Sequence, residues 1–317
     1  MINIAYITSC REVGNDEKIG RVVVDPITGV SLGYRMGNLE SLAGLLVHGE
    51  NSFAQQCNLS AVFVDDTDEQ WEAAWQEAEL WPRQLQVPIR NRRREIVARP
   101  TLDGLTIRIP SSWRALRQNH SHETREEFVQ RKAAAKAEYE KRLVTALQER
   151  NVSLIVSDSY VCIFGPHVMD VYRGRMLNIH PAITQVGNPN RLPGLTPTRD
   201  AYTRACYGYV IVDDKHAVDV PAGEQIEVTF QRETRRAVRI PQSYRHGVTV
   251  HEVTTRVDNG PVVLSREYDL PEDLTPERIR TINYQHKREL LPVAILQYTA
   301  LQERGNLVSE TRTEVRA

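Results

Sequence analysis

The fold is decided by residues 176–208, MLNIHPAITQVGNPNRLPGLTPTRDAYTRACYG, read together with residues 246–264, HGVTVHEVTTRVDNGPVVL. In the first stretch an apolar pair leads into Asn178, Ile179 and His180, and Pro181 stops the run. This predicts a buried strand over 176–179 whose end delivers an amide and an imidazole to a loop, a favoured place for chemistry in an open α/β sheet. Side chains two apart on an extended strand share a face, so Asn178 and His180 are expected side by side. The second stretch alternates as a strand over 246–253 and breaks at Asp258-Asn259-Gly260-Pro261, a turn that carries a carboxylate. Taken singly, a histidine at a strand end is commonly structural, and an aspartate before Asn-Gly is commonly a turn residue.

Together, Asn178-Ile179-His180-Pro181, Pro193-Gly194 and Val257-Asp258-Asn259-Gly260-Pro261 resemble the hallmark of the folate-dependent formyltransferase family, and within it the glycinamide ribonucleotide formyltransferases. The resemblance extends upstream through residues 152–181 and downstream over 282–297, roughly half of the chain. It implies an α/β fold, a Rossmann-like, mostly parallel open sheet flanked by helices and interrupted by inserted β-hairpins. It implies 10-formyltetrahydrofolate as formyl donor and a small-molecule amine as acceptor. Asn178 and His180 would then stabilise an oxyanion, and Asp258 would orient His180 and move the proton from the amine to the leaving nitrogen. Tyr160, Val161, Cys162, Ile163 and Phe164, with Val253, Thr254 and Thr255, match the lining of the folate pocket. Arg35, Gly37, Asn38 and Gln285 fall where relatives contact the acceptor. The other reading of Val161 to Phe164 is the core of a strand-to-helix corner.

The chain also departs from the family pattern. Tyr34, Arg35 and Met36 precede Gly37-Asn38-Leu39 where small residues normally admit a phosphate, so Arg35 is the candidate anion clamp there. The plain alternative is a helix start with Asn38 near the cap. Gln285 stands before His286 where relatives place glutamate, and Cys162 stands where several carry arginine. These departures turn the acceptor reading toward an amino sugar, an amino acid or a specialised-metabolite precursor. Hydrolysis of 10-formyltetrahydrofolate, formylation of glycinamide ribonucleotide, and a non-catalytic binding protein with a relic site are the alternatives.

Outside these motifs, residues 2–7 read as a first buried strand, 59–64 as a second and 152–156 as a central parallel one. The helices expected are 37 to about 49, an acidic helix with Trp71, Trp75 and Trp81, then 123–150, 169–173, 196–207 and a closing helix from Thr275. Residues 87–89 suggest a short strand, and 101–110 a hairpin around Asp103-Gly104. The catalytic domain is expected over 1–303 with insertions near 11–33, 90–125 and 209–245, followed by a polar tail over 304–317. The insertions are β-rich with exposed strand edges, which suits a homodimer.

The chain has 317 residues, 40 basic against 41 acidic, and a net charge of -1, so no global field draws it to nucleic acid or membrane. Cys10, Cys57, Cys162 and Cys206 form no CxxC pair, which argues against a zinc site and suits reduced thiols. With no basic leader before MINIAYITSC, a cytoplasmic location is expected.

Overall fold

The computed structural model describes residues 1–9, 20–66, 83–119, 122–160, 162–194, 196–212, 222–230 and 232–314, with side chains up to residue 304. Val161, Cys10, the tryptophan helix and residues 11–19 of the first insertion lie outside the described residues.

The centre is a seven-stranded sheet. Its strands are β1 (Ile2–Thr8), β4 (Cys57–Val64), β7 (Thr106–Arg108), β8 (Leu154–Asp158), β9 (Met176–His180), β13 (Arg245–Glu252) and β14 (Val262–Asp269). They run in the order β14-β13-β9-β8-β1-β4-β7. From β9 to β7 every pairing is parallel, while β13 lies antiparallel to β9 and β14 antiparallel to β13.

Alternation along β1 shows how the layers form. Ile4 and Tyr6 point into one core with α1 (Asn38–His48), α2 (Ser52–Gln56) and α6 (Pro276–Glu314), through Leu39, Leu42, Leu46, Leu291 and Ile295. Ala5 and Ile7 point into the other, under α3 (Arg125–Glu149) and α4 (Pro166–Tyr172), through Tyr139, Leu143, Leu147, Val168 and Met169. Burial on both faces is what makes the central strands continuously apolar. In such a sheet the ligand crevice opens at the carboxyl ends of the strands, where β8 and β9 deliver Asp158 and His180.

The first insertion contains the expected hairpin, β2 (Arg21–Val24) with β3 (Ser31–Arg35). Asp25 shapes its turn by accepting the Ile27 and Thr28 N–H groups, and Thr275 donates to the same carboxylate, tying the hairpin to the start of α6. The third insertion is a three-stranded antiparallel sheet, β10 (Tyr209–Ile211), β12 (Glu233–Arg239) and β11 (Glu224–Phe230), packed on α5 (Pro197–Tyr207) through Val210, Val238, Ala201 and Ala205.

The second insertion corrects the sequence reading. Residues 103–104 do not turn a hairpin. Asp103–Leu105 forms one turn of 3₁₀ helix, with the Gly104 N–H on Thr101 Oγ1 at 3.0 Å and Leu102 and Leu105 buried, and Thr106–Arg108 then joins the central sheet parallel to β4. The hairpin lies earlier, between β5 (Ile89–Arg90) and β6 (Ile96–Ala98), where Asn91 Oδ1 accepts the Arg93 and Glu95 N–H groups. At the other end, α6 stays helical through Glu314 and takes in most of the stretch expected as a tail. No helix among the described residues is long and apolar enough to cross a membrane.

Candidate active site

Antiparallel pairing of β9 and β13 sets Asn178 opposite His251 and His180 opposite Thr249. Beyond β13 the chain doubles back, and Asp258 adopts φ 48°, a left-handed conformation that aspartate and asparagine tolerate better than other residues with a Cβ. Its carboxylate therefore returns onto β9. Oδ1 lies 3.5 Å from Asn178 Nδ2, 3.5 Å from His180 Nδ1 and 3.4 Å from His251 Nε2. Oδ2 accepts the Gly194 N–H at 2.9 Å, and Gly194 has φ 100°, which explains the glycine of the Pro193-Gly194 motif.

The hydrogen bonds fix both imidazole tautomers. His180 Nε2 is 3.1 Å from the Leu192 carbonyl oxygen, which only accepts, so Nε2 carries the proton and Nδ1 turns its lone pair toward Asp258. His251 Nδ1 donates to the Glu252 carbonyl at 3.0 Å, leaving Nε2 to accept from Asn178 Nδ2 at 3.2 Å. Burial pushes the His180 pKa down against the pull of the Asp258 charge, so the neutral ring is the resting form. Burial pushes Asp258 up, but attraction to His180 and His251 in their charged forms, with the Gly194 N–H, outweighs it and holds the carboxyl well below the usual carboxylate range. An ionised carboxylate thus faces an imidazole lone pair. A proton arriving on His180 Nδ1 is stabilised at once by Asp258.

The expected folate-side residues divide. Ile163 is 56% exposed and Tyr160 half-buried, its hydroxyl paired with Tyr139 at 2.7 Å and its ring stacked on Phe164 at 4.9 Å. Phe164 is buried and packs in the core under α3 and α4. Cys162 is also buried, its thiol donating to Asp65 Oδ2 at 3.1 Å, and burial pushes its pKa up to about 12. Val253 pairs its N–H with the Met176 carbonyl, and Thr254 turns its hydroxyl to the Arg256 carbonyl. Thr255 is exposed.

On the acceptor side the expected residues fall in different settings. Arg35 is 2% exposed and bonded to Glu277 Oε2 at 2.6 Å and Thr281 Oγ1 at 2.8 Å, so it fastens β3 to α6 and does not stand open as an anion clamp. Gln285 is exposed, because the inward face of α6 presents Asn283, Tyr284 and Lys287 instead. Gly37 caps α1, but its N–H donates to Glu40 Oε2 at 3.4 Å, and Glu40 also accepts the Tyr34 hydroxyl at 2.8 Å. Asn38 is 1% exposed and donates from Nδ2 to Asp158 Oδ2 at 2.6 Å.

Three groups beside the site have no assigned role in the sequence reading. His251 holds both Asn178 and Asp258. Lys287, 1% exposed, pairs with Asp158, which also receives the Tyr6 hydroxyl. Glu140 on α3 accepts the Gly165 N–H at 2.7 Å and so caps α4. Strand alternation points to His251 once the β9–β13 register is known, whereas Lys287 and Glu140 read as ordinary positions of charged helices.

Residues 107–205 match the formyl transferase family model. That match contains Asn178, His180 and the corner at 160–164 and ends before Asp258. Among particular proteins, phosphoribosylglycinamide formyltransferase of Bacillus subtilis is 22% identical over 170 residues, 54% of this chain and 66% of that protein, just under two thirds of the relative's length. Among solved structures, PvdF of pyoverdin biosynthesis, described as a structurally unique 10-formyltetrahydrofolate-dependent formyltransferase, is similar over 95% of this chain and 98% of its own, with TM-score 0.66 and 24% identity. Phosphoribosylglycinamide formyltransferase from Bacillus halodurans is similar over 96% and 98%, with TM-score 0.50 and 16% identity. At these identities the structural likenesses establish the fold.

Proposed function

We propose that the protein transfers the formyl group of 10-formyltetrahydrofolate to a primary amine of a small molecule. The observation that carries this reading is the convergence of Asn178, His180 and His251 on the Asp258 carboxylate at the end of β9, each within 3.5 Å. The half-exposed ledge of Ile163 and Tyr160 fits a flat, largely apolar donor. When bound, that donor supplies an activated carbonyl.

The chain's own groups then have distinct tasks. Asn178 Nδ2, held by His251, gives up its long 3.5 Å contact to Asp258 and donates that hydrogen to the oxygen on which negative charge develops, a contribution of about 2.7–4 kcal/mol for one such donor. His180 donates its Nε2–H to the Leu192 carbonyl oxygen at rest, so its open function is to accept a proton at Nδ1. That revises its part from oxyanion donor to base. Asp258 stabilises the resulting imidazolium and passes the proton toward the leaving nitrogen.

The acceptor best supported carries no phosphate at the start of α1. A phosphate there would meet free N–H groups at a helix N-terminus. Here the carboxylate of Glu40 already occupies the Gly37 N–H and accepts the Tyr34 hydroxyl as well. An amino sugar, an amino acid or a specialised-metabolite precursor suits this site better than glycinamide ribonucleotide. The test follows tetrahydrofolate release from 10-formyltetrahydrofolate with and without a panel of such amines. Release that depends on an amine supports the proposal, release that ignores every amine identifies a hydrolase, and no release with any amine refutes both.

A further inference from the structure

The added sheet β10-β12-β11 ends in an open strand edge. β12 pairs with β10 on one side and β11 on the other, and among the described residues no strand pairs with the outer edge of β11. A row of unpaired backbone N–H and C=O groups is a template for a further strand unless charge, proline or a bulge blunts it. β11 has no proline, its ladder with β12 runs without a bulge, and beyond Glu224 its one charge is Glu227. The edge strand β14 of the central sheet is the contrasting case. It carries Arg266, Glu267 and Asp269, which are held in ion pairs with Glu289 and Arg245.

Alternation divides β11 into two rows. Ile226, Val228 and Phe230 are half-buried and share one face, while Gln225, Glu227 and Thr229 are exposed on the other. An antiparallel strand that meets this edge must answer both rows, and a second copy of β11 does so in one register. With Val228 opposite the partner's Val228, Ile226 faces the partner's Phe230 and Glu227 faces the partner's Thr229. Glu224 then comes level with the partner's Arg232, just past the strand end, an opposite charge. Centring the pair on Glu227 instead sets two carboxylates against each other, and centring it on Ile226 sets Glu224 against the partner's Val228. Apolar cross-strand pairs stabilise an antiparallel ladder and like charges directly opposite destabilise it, so the register about Val228 is the one the sequence favours.

We propose that the chain forms a homodimer in which β11 pairs antiparallel with the partner's β11 about Val228, joining the two added sheets into one of six strands. A twofold axis through Val228 gives the closed, self-complementary contact typical of homodimers. Asn178, His180, His251 and Asp258 all come from one chain, so each subunit keeps its own complete cluster. The third insertion thereby acquires a task in assembly, separate from the chemistry at the end of β9.

The test is sedimentation of the full chain at rising concentration. Between about 1 μM and about 200 μM the wild type is expected to pass from monomer to dimer, the range suited to a small interface. Val228→Lys sets two ammonium groups opposite each other and should stay monomeric over that range, with a melting temperature near wild type. A wild type that remains monomeric at every concentration overturns the proposal, and so does a Val228→Lys chain that still dimerises. If Val228→Lys does not fold, Val228→Cys is oxidised instead, because residues directly opposite in an antiparallel pair hold their Cβ atoms about 4.5–5.5 Å apart, near disulfide reach. A covalent dimer that the wild type does not form under the same oxidation supports the proposal, and its absence overturns it.

Discussion

Replacing Asp258 by asparagine separates chemistry from architecture at this site. Asparagine shares aspartate's tolerance for the left-handed backbone at φ 48°, so the loop is not strained by the change. Its carbonyl oxygen can accept the Gly194 N–H as Oδ2 does now, and its amide can donate toward His180 Nδ1 and His251 Nε2, which present lone pairs. The Gly194 and histidine contacts thus survive, the long 3.5 Å contact from Asn178 Nδ2 is lost, and so is the charge. Without that charge, a proton on His180 Nδ1 has no carboxylate to stabilise it, and the donated amide hydrogen blocks the very nitrogen that must accept. Losing one general acid–base partner costs about 10²–10⁴ in rate, or about 2.7–5.4 kcal/mol at 1.36 kcal/mol per tenfold. Asp258→Asn should therefore lower kcat at least a hundredfold while folate binding and the melting temperature stay near wild type. Stopped-time assays of tetrahydrofolate release alongside thermal melts measure both. Turnover within a few-fold of wild type would refute the proton-transfer role, and a collapse in stability with it would show that Asp258 serves the fold.

Lys287→Met leaves the Asp158 carboxylate buried without its ion-pair partner and should cost about 3–5 kcal/mol by urea unfolding, with the double change Lys287→Met and Asp158→Asn recovering a large part. Gly165→Ala should lose about 1–3 kcal/mol in the same assay, because its Cβ would sit 2.4 Å and 2.7 Å from the two Glu140 carboxylate oxygens. His246 is fully buried edge-on to Tyr268, and burial lowers its pKa from 6.5 to about 3. Between those values the unfolded chain binds the proton and the folded chain does not, so stability falls as pH drops, by about 2 kcal/mol at pH 5. His246→Phe should flatten that part of the pH–stability curve, and an unchanged slope would assign it to other groups.

The sheet and the side-chain cluster at the end of β9 were legible because their signals are local. Asn178-Ile179-His180-Pro181 places two polar groups on one face at a strand end, and Asp258-Asn259-Gly260-Pro261 writes its turn into four neighbouring letters. What escaped depends on pairing across the chain. Arg35 looks like a free cation until Glu277, far along the sequence, comes to meet it. Gln285 and Lys287 lie two apart on one helix, and only the helix rotation decides that Lys287 faces in and Gln285 faces out. Asp103-Gly104 carries a strong hairpin signal, yet the apolar Leu102 and Leu105 pull that segment into the core and leave Thr106 to Arg108 to extend β4. Phe164 was placed in the pocket by its neighbours in sequence, whereas alternation along the corner turns it inward and Ile163 outward.

The claim that the chain uses a formyl-folate donor is met most directly by isothermal titration of the purified protein with a hydrolysis-resistant 10-formyl folate analogue, repeated with Ile163→Glu. Binding in the micromolar range that is lost in the variant is the result predicted here. Absence of binding, or binding indifferent to a charge at Ile163, would contradict it.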